Sequence, residues 1–175
     1  MVTQPAFHIV RVGPPYRIVL AAYVDYQHRK PCLAKLAIQL FELIHTLDSL
    51  KLAQVLERHG QQLAKPVRCL IEVNLGGEES KSGMTEDGLR PLLEAAAGFR
   101  HLWIEGLMAL PPFLPDPEQS RPYFRRLRTL RDKLRDEGFP LAELSMGMTH
   151  DFEVAIEEGA TLVRIGTAIF GPRPT

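Results

Sequence analysis

From Phe41 onward, short apolar runs rich in Val, Ile and Leu alternate with segments whose apolar residues recur at helical spacing. That order is typical of an α/β fold built from βα units, in which each strand is followed by a helix that covers the sheet. The predicted strands are 41–47, 68–75, 102–110, 143–148 and 161–170. Such a succession favours either an open doubly wound sheet or part of a (β/α)8 barrel.

The segments between these strands carry signals for helix starts and ends. Asp48 or Ser49 is expected to cap one helix at its N-terminus, and Gly60 is expected to end it. Further helices are predicted around 86–98 and over 151–158. A helix before the fourth strand is indicated by an apolar stripe at Phe124, Leu127, Leu130 and Leu134.

The chain length limits how much of a barrel it can form. A complete (β/α)8 barrel takes about 250 residues, whereas only 140 residues follow position 35. The N-terminal part also differs in composition, because residues 1–40 hold one acidic residue, Asp25, against five basic ones. We therefore predict a divergent segment over 1–35 and a partial barrel domain over 36–175. Such a barrel would leave two open strand edges, available for pairing with another chain.

The composition argues against several classes of partner. Lys plus Arg and Asp plus Glu both number 21, and the resulting zero net charge gives no electrostatic reason to expect a nucleic-acid ligand. The sequence has neither a spanning apolar stretch nor the pattern of a signal peptide. Its two cysteines, Cys32 and Cys69, lie in no CxxC or metal-binding spacing. We expect a cytoplasmic protein with no nucleic-acid and no membrane partner.

The last 30 residues have the layout of a phosphate site. In SMGMT the chain leaves a predicted strand, turns through Gly147, and offers the hydroxyl groups of Ser145 and Thr149 just before a helix. Unpaired N–H groups and a partial positive charge at a helix N-terminus favour a phosphate dianion.

The stretch VRIGT repeats this theme one strand later. It presents Arg164 and then Gly166, whose missing side chain lets the backbone N–H groups of Gly166 and Thr167 approach a ligand. In a barrel, the loops after the last two strands form the commonest phosphate site. The two stretches together predict one phosphate-binding cradle.

Five stretches carry a resemblance to a known family. They are LIHTLDSLKLA, IEVNLGGEESKSGM, GLMAL, LSMGMTHDFEVAI and GATLVRIGTAIFG. Over about residues 34–171 the chain resembles the pyridoxal-phosphate homeostasis protein family, relatives of the alanine racemase N-terminal barrel. The resemblance implies an incomplete TIM-type (β/α) barrel that binds pyridoxal 5′-phosphate (PLP), with about five C-terminal βα units. It also implies a role in vitamin B6 homeostasis without a defined catalytic turnover, with PLP-dependent client enzymes as further partners.

Site residues follow from the same resemblance. Ser145 and Thr149 would hold phosphate oxygens, and the backbone at Gly166 and Thr167 would complete the cradle. Arg164 would face the pyridine nitrogen, where a fixed guanidinium disfavours protonation of the ring and weakens it as an electron sink.

The chain departs from the family where the covalent anchor belongs. Family members hold PLP as a Schiff base to a lysine in a Val-Ser-Lys-Thr-Lys-like stretch, which has no match here. The nearest apolar run, RIVLAAYVDYQHRKP, places Asp25, Tyr26 and Gln27 where that motif would follow. Lys81 matches a family position, but as a loop lysine that could at most make an auxiliary contact.

Two alternative functions stay open at this stage. An amino-acid racemase of related fold would need an acid/base pair on opposite faces of the substrate, and neither partner can be assigned. A barrel fragment that binds no cofactor is the other alternative, motivated by the expected open edges.

The unmatched N-terminal segment yields the first prediction. If its residues derive from a shifted reading frame or a misplaced start, the genomic DNA just upstream should encode a Val-Ser-Lys-Thr-like stretch in another frame. Translation of that DNA in all three frames tests this, and the absence of such a stretch would exclude a frame or start error.

Overall fold

The computed structural model describes residues 8–11, 18–22, 32–76 and 82–171. Its strands form one closed barrel in the order of the sequence, β1 to β7. The strands are His8–Arg11, Ile18–Ala22, Leu43–Leu47, Val67–Glu72, Leu102–Met108, Glu143–Met148 and Leu162–Ile165. The helices α1 to α6 are Cys32–Leu40, Leu50–Leu63, Glu86–Ala96, Arg121–Asp136, Phe152–Glu157 and Thr167–Phe170.

Closure of the barrel depends on the direction of β1. Strands β2 to β7 run parallel to one another, as in βα repeats. Strand β1 is antiparallel to both β2 and β7, with His8 opposite Leu20 on one side and Ile165 on the other. This single reversed strand joins the first parallel strand to the last.

The predicted fold class is confirmed: the chain forms an α/β barrel of TIM type that is incomplete, with seven strands among the described residues where a full barrel has eight. The five strands predicted from the sequence correspond to β3 to β7. The expectation of two open edges was wrong, because β1 forms backbone pairs with β2 and with β7. The proposed division at residue 35 stays a prediction; α1 runs across that position.

Several element boundaries differ from the predictions, and two of these differences have a clear structural cause. Strand β7 ends at Ile165, not at residue 170, because the chain turns at Gly166 into the short helix α6. Helix α2 continues past Gly60 to Leu63 and ends at Ala64, which takes the left-handed conformation with φ of 48°. Gly60 has a packing role instead, since a Cβ there would lie 2.9 Å from Cβ of His101.

The predicted start of α2 is confirmed at Ser49. Its side chain accepts a hydrogen bond from the backbone N–H of Leu52 at 3.3 Å, so one of the free donors of the first turn is satisfied. The apolar stripe of α4 is also confirmed, with Phe124 and Leu127 fully buried against the sheet.

Residues on each strand alternate between two buried faces. The outward-facing side chains of β3 to β7 pack against the helices in one large apolar cluster, which includes Ile44, Ile71 and Val163. A second, smaller cluster contains no helix residue and therefore lies inside the barrel. It consists of Leu43, Leu70, Met108 and Leu162. The helices thus cover the outside of the barrel, and an apolar layer fills its interior toward the N-terminal ends of the parallel strands.

No helix in the described part of the chain is long and apolar enough to cross a membrane.

Gly106 generates a prediction about barrel stability. It lies in β5 opposite Glu143 of β6, and a Cβ at this position would be 2.0 Å from the carbonyl oxygen of Glu143. We expect Gly106→Ala to lower the free energy of unfolding by about 3 kcal/mol or more, because backbone atoms must separate to relieve the clash. Urea denaturation followed by circular dichroism measures the change.

The matched control is Gly98→Ala. A Cβ at Gly98 would meet no atom within 4 Å, so this change should stay within about 0.5 kcal/mol of the wild type. Equal stability of the two variants would contradict the close approach of β5 and β6.

Candidate functional site

A layer of polar side chains lies directly above the apolar layer inside the barrel. His45, Glu72 and Arg164 each follow a member of that apolar layer by two residues on the same strand, so they share its inward face. Ser145 joins them from β6. All four are buried, with Ser145 0% and Arg164 6% exposed. The layer lies toward the C-terminal ends of the parallel strands, the face where barrel enzymes place their sites.

Arg164 links β7 to β6 and to the residue that follows β5 through its guanidinium group. Its Nη1 donates to Oγ of Ser145 at 2.6 Å, and its Nη2 donates to the carbonyl oxygen of Ala109 at 2.8 Å. A further donor, Nε–H, is buried and has no hydrogen-bond partner among the described residues. Arg164 is therefore held firmly while one of its donors stays free for another acceptor.

The charge of Arg164 persists in this environment. Burial lowers its pKa, whereas the negative fields of Glu72 and Asp151 oppose that shift, and the result is a pKa of about 10. The guanidinium is thus a cation at neutral pH, held inside the barrel.

His45 lies on the other side of Ser145. Its Nδ1 is 3.0 Å from Oγ of Ser145, and its Nε2 is buried without a hydrogen-bond partner among the residues described. Burial, together with the nearby charge of Arg164, lowers the pKa of His45 to about 3. The imidazole is therefore neutral at physiological pH.

The end of β6 needs glycine at position 147. Gly147 has φ of +86°, and a Cβ there would lie 2.5 Å from Cβ of Ala155 in α5. The turn is closed by the side chain of Asp151, which accepts a hydrogen bond from the backbone N–H of Met148 at 2.7 Å. Gly147 thus lets α5 pack directly against the loop that carries Thr149.

The loops after β6 and β7 meet at Thr149. The backbone N–H of Gly166 donates to Oγ1 of Thr149 at 3.2 Å. Thr167 is exposed and starts α6. The structure therefore brings together the two halves of the predicted cradle: Ser145 contacts Arg164, and Thr149 contacts Gly166. The roles of these residues toward a cofactor stay predictions.

His45 is not among the site residues predicted from the sequence. A usable signal was present, because His45 interrupts the apolar run FELIHTL two residues after Leu43. Both residues must face the same side of a strand that is buried on both faces. The partner of His45 lies 100 residues away in the sequence, however, so the sequence could not identify it.

None of the lysines considered from the sequence can be assigned as a covalent anchor for PLP among the described residues. Lys81 and the segment that follows Ala22 up to Lys30 lie outside the described residues. Lys35 is exposed on α1, on the helical layer outside the barrel.

Comparison with known proteins identifies the family. The family described as "Alanine racemase, N-terminal domain" matches residues 22–174. The chain belongs to this family. The match includes β3 to β7 together with both loops of the polar site.

Individual relatives within this family are similar to the chain in sequence. The chain is 51% identical over 132 residues to the pyridoxal phosphate homeostasis protein of Aquifex aeolicus, covering 75% of this chain and 58% of the relative. It is 41% identical over 140 residues to the protein of the same name from Vibrio alginolyticus, covering 80% and 60%. The resemblance inferred from the sequence is confirmed. The chain spans less than two thirds of the length of these relatives.

A solved structure is also similar to the chain. PipY of Synechococcus elongatus, determined with PLP bound, is similar to the chain with a TM-score of 0.77 and 29% identity. The similarity covers 86% of this chain and 69% of PipY.

The burial of His45 predicts a specific dependence of stability on pH. Because its pKa falls from 6.5 to about 3 on folding, the unfolded chain binds more protons than the native protein between these values. The stabilisation is fully present above pH 6.5 and is lost as the pH falls toward 3. The loss attributable to His45 should reach roughly 2 kcal/mol at pH 5.

Comparison with His45→Asn isolates this effect, because Asn does not titrate. The difference in unfolding free energy between the wild type and this variant should shrink by roughly 2 kcal/mol from pH 7.5 to pH 5. His59→Asn, at a partly exposed position on α2, is the control for loss of a histidine. A constant difference for His45→Asn would show that His45 is not a buried neutral imidazole.

Proposed function

We propose that the chain binds pyridoxal 5′-phosphate and acts in the homeostasis of this cofactor without a defined catalytic turnover. The observation that carries the proposal is the polar layer inside the barrel, where Arg164 Nε–H is buried and unpaired among the described residues. The curated relatives of the chain are named pyridoxal phosphate homeostasis proteins, and PipY was solved with PLP bound. These comparisons support the binding of the same cofactor by this chain.

The donor set fits the cofactor. PLP offers phosphate oxygens, a phenolic oxygen and a ring nitrogen, all of which accept hydrogen bonds in their deprotonated forms. The interior presents a guanidinium whose Nε–H is unpaired, and the loops above it present a threonine hydroxyl and backbone N–H groups. An unpaired buried donor costs about 1–3 kcal/mol. A ligand rich in acceptors would remove that cost.

Each predicted site residue has a part in this proposal. The Thr149 hydroxyl and the backbone N–H groups of Gly166 and Thr167 would hold phosphate oxygens. The present 3.2 Å bond from Gly166 N–H to Thr149 is long enough for a phosphate oxygen to replace it without loss. Gly147 would keep the loop close to α5.

The two buried residues would act beneath the phosphate. Arg164 would present its charge to the ring nitrogen and keep that nitrogen unprotonated. Ser145 was expected to hold a phosphate oxygen. Because its hydroxyl already bonds Arg164 and His45, its part in this proposal is instead to orient these two side chains. PLP itself supplies an aldehyde that reacts with amines and a ring that withdraws electrons.

Retention of the cofactor would rest on non-covalent contacts with these residues, because the family lysine has no match. A role in buffering and delivery follows from such reversible binding, with PLP-dependent enzymes as the recipients. We also propose a cytoplasmic location, in keeping with a buried free thiol at Cys69.

Thr149 provides the test of the phosphate cradle. Thr149→Val keeps the shape of the side chain and removes its hydroxyl, so we expect the dissociation constant for PLP to rise about 10- to 100-fold. Absorbance titration of the purified protein measures the constant. Borohydride reduction followed by intact mass determines whether any lysine reacts with the aldehyde.

Thr129→Val is the matched control. Thr129 lies on the outer helix α4, where its hydroxyl donates to the carbonyl oxygen of Arg125, and its loss should leave the dissociation constant unchanged. Equal affinity of the Thr149 variant and the control would remove Thr149 from the site. A wild-type protein that takes up no PLP would contradict the proposed function itself.

A further inference from the structure

His45 has a free hydrogen-bonding atom inside the barrel that none of the roles above uses. The side chain is 3% exposed, and Nε2 has no partner in the described ranges. Its other nitrogen, Nδ1, contacts Oγ of Ser145 at 3.0 Å. A buried polar atom with no partner destabilises a fold by about 1–3 kcal/mol, so its place beside Arg164 calls for an explanation.

Hydrogen-bond counting selects the tautomer of His45. Arg164 has only donors, so Ser145 Oγ must accept from it. If His45 carries its proton on Nε2, the Ser145 hydroxyl donates to Nδ1 and both of its bonds are satisfied. If the proton lies on Nδ1, Ser145 accepts twice and its own hydrogen lacks a partner, as does the Nε2 lone pair. The first arrangement leaves a single unsatisfied group, the Nε2–H of His45.

The chain Arg164 to Ser145 to His45 therefore ends in a donor. A neutral imidazole stays in this state because burial and the adjacent guanidinium both oppose a second proton. The interior thus presents two unpaired N–H groups, at Arg164 Nε and His45 Nε2. Both require an acceptor, and one ligand with several acceptor atoms can satisfy both.

We propose that His45 is a further cofactor-binding residue, whose Nε2–H donates a hydrogen bond to an acceptor atom of bound PLP. This inference rests on the proposed function and deepens it, since it adds β3 to a site otherwise built from β6 and β7. The two unpaired donors, Arg164 Nε–H and His45 Nε2–H, favour a ligand whose ring nitrogen and phenolic oxygen are both deprotonated.

Two substitutions of His45 separate its two nitrogen atoms. The short amide of His45→Asn can accept from Ser145 near the position of Nδ1 but has no donor at the position of Nε2. The longer amide of His45→Gln places an N–H near Nε2. His59→Asn, on α2 and bonded to Gln62, is the control for loss of a histidine.

The binding probe is pyridoxine 5′-phosphate, which lacks the aldehyde and so forms no adducts with lysine. We expect the dissociation constant, measured by calorimetry, to rise about tenfold for His45→Asn. For His45→Gln it should stay within about threefold of the wild type, and for His59→Asn it should not change. Equal binding by wild type and His45→Asn would overturn the inference while leaving the proposed function intact. If the wild type binds no probe, the proposed function fails, and this inference fails with it.

Nuclear magnetic resonance of the imidazole nitrogens gives a readout that needs no variant. In the free wild-type protein, His45 should show the pattern of the Nε2–H tautomer, and saturation with the probe should shift its Nε2 resonance more than that of His59. This measurement decides the question if His45→Asn does not fold. An unchanged Nε2 resonance at saturation, as expected if only water bonds this atom, would overturn the inference.

Discussion

Closure of the sheet by the antiparallel strand β1 is the constraint on which the remaining structure depends. Parallel strands β2 to β7 would leave two rows of unpaired backbone groups, and β1 satisfies both at once. A closed sheet also has a true inside. Side chains on the inner face of β3 to β7 are then buried whatever their chemistry, so each polar residue there needs a partner across the barrel.

The polar layer meets this requirement through shared hydrogen bonds between strands. Arg164 of β7 bonds Ser145 of β6 and the carbonyl oxygen of Ala109, next to β5, while His45 of β3 reaches the same serine hydroxyl. A single hydroxyl group thus aligns a cation and a neutral base. Because such a network is costly when only partly satisfied, its two remaining N–H groups are the atoms in this region that most favour a ligand.

The sequence allowed prediction of the element order because strand and helix periodicities alternate clearly from Phe41 onward. The two loops of the site were also predictable, since Gly147 lies near the end of one apolar strand and Gly166 directly follows another. The predicted helix end at Gly60 was wrong, because the sequence alone does not distinguish a glycine that permits close packing from one that ends a helix. Closure by β1 and the approach of His45 to Ser145 depend on residues far apart in the chain, and local patterns carry no information about such pairs.

The pairing of β1 with β7 has a consequence for how the protein folds. His8 lies opposite Ile165, so the barrel closes only when segments from near both termini meet. The βα units between them form contacts over much shorter stretches of chain and can assemble earlier. The entropic cost of closing a loop grows with its length, so contacts between residues this far apart in the sequence form at the highest entropic cost and slow folding. We therefore expect closure to be a late event in folding, completed after the parallel strands are in place.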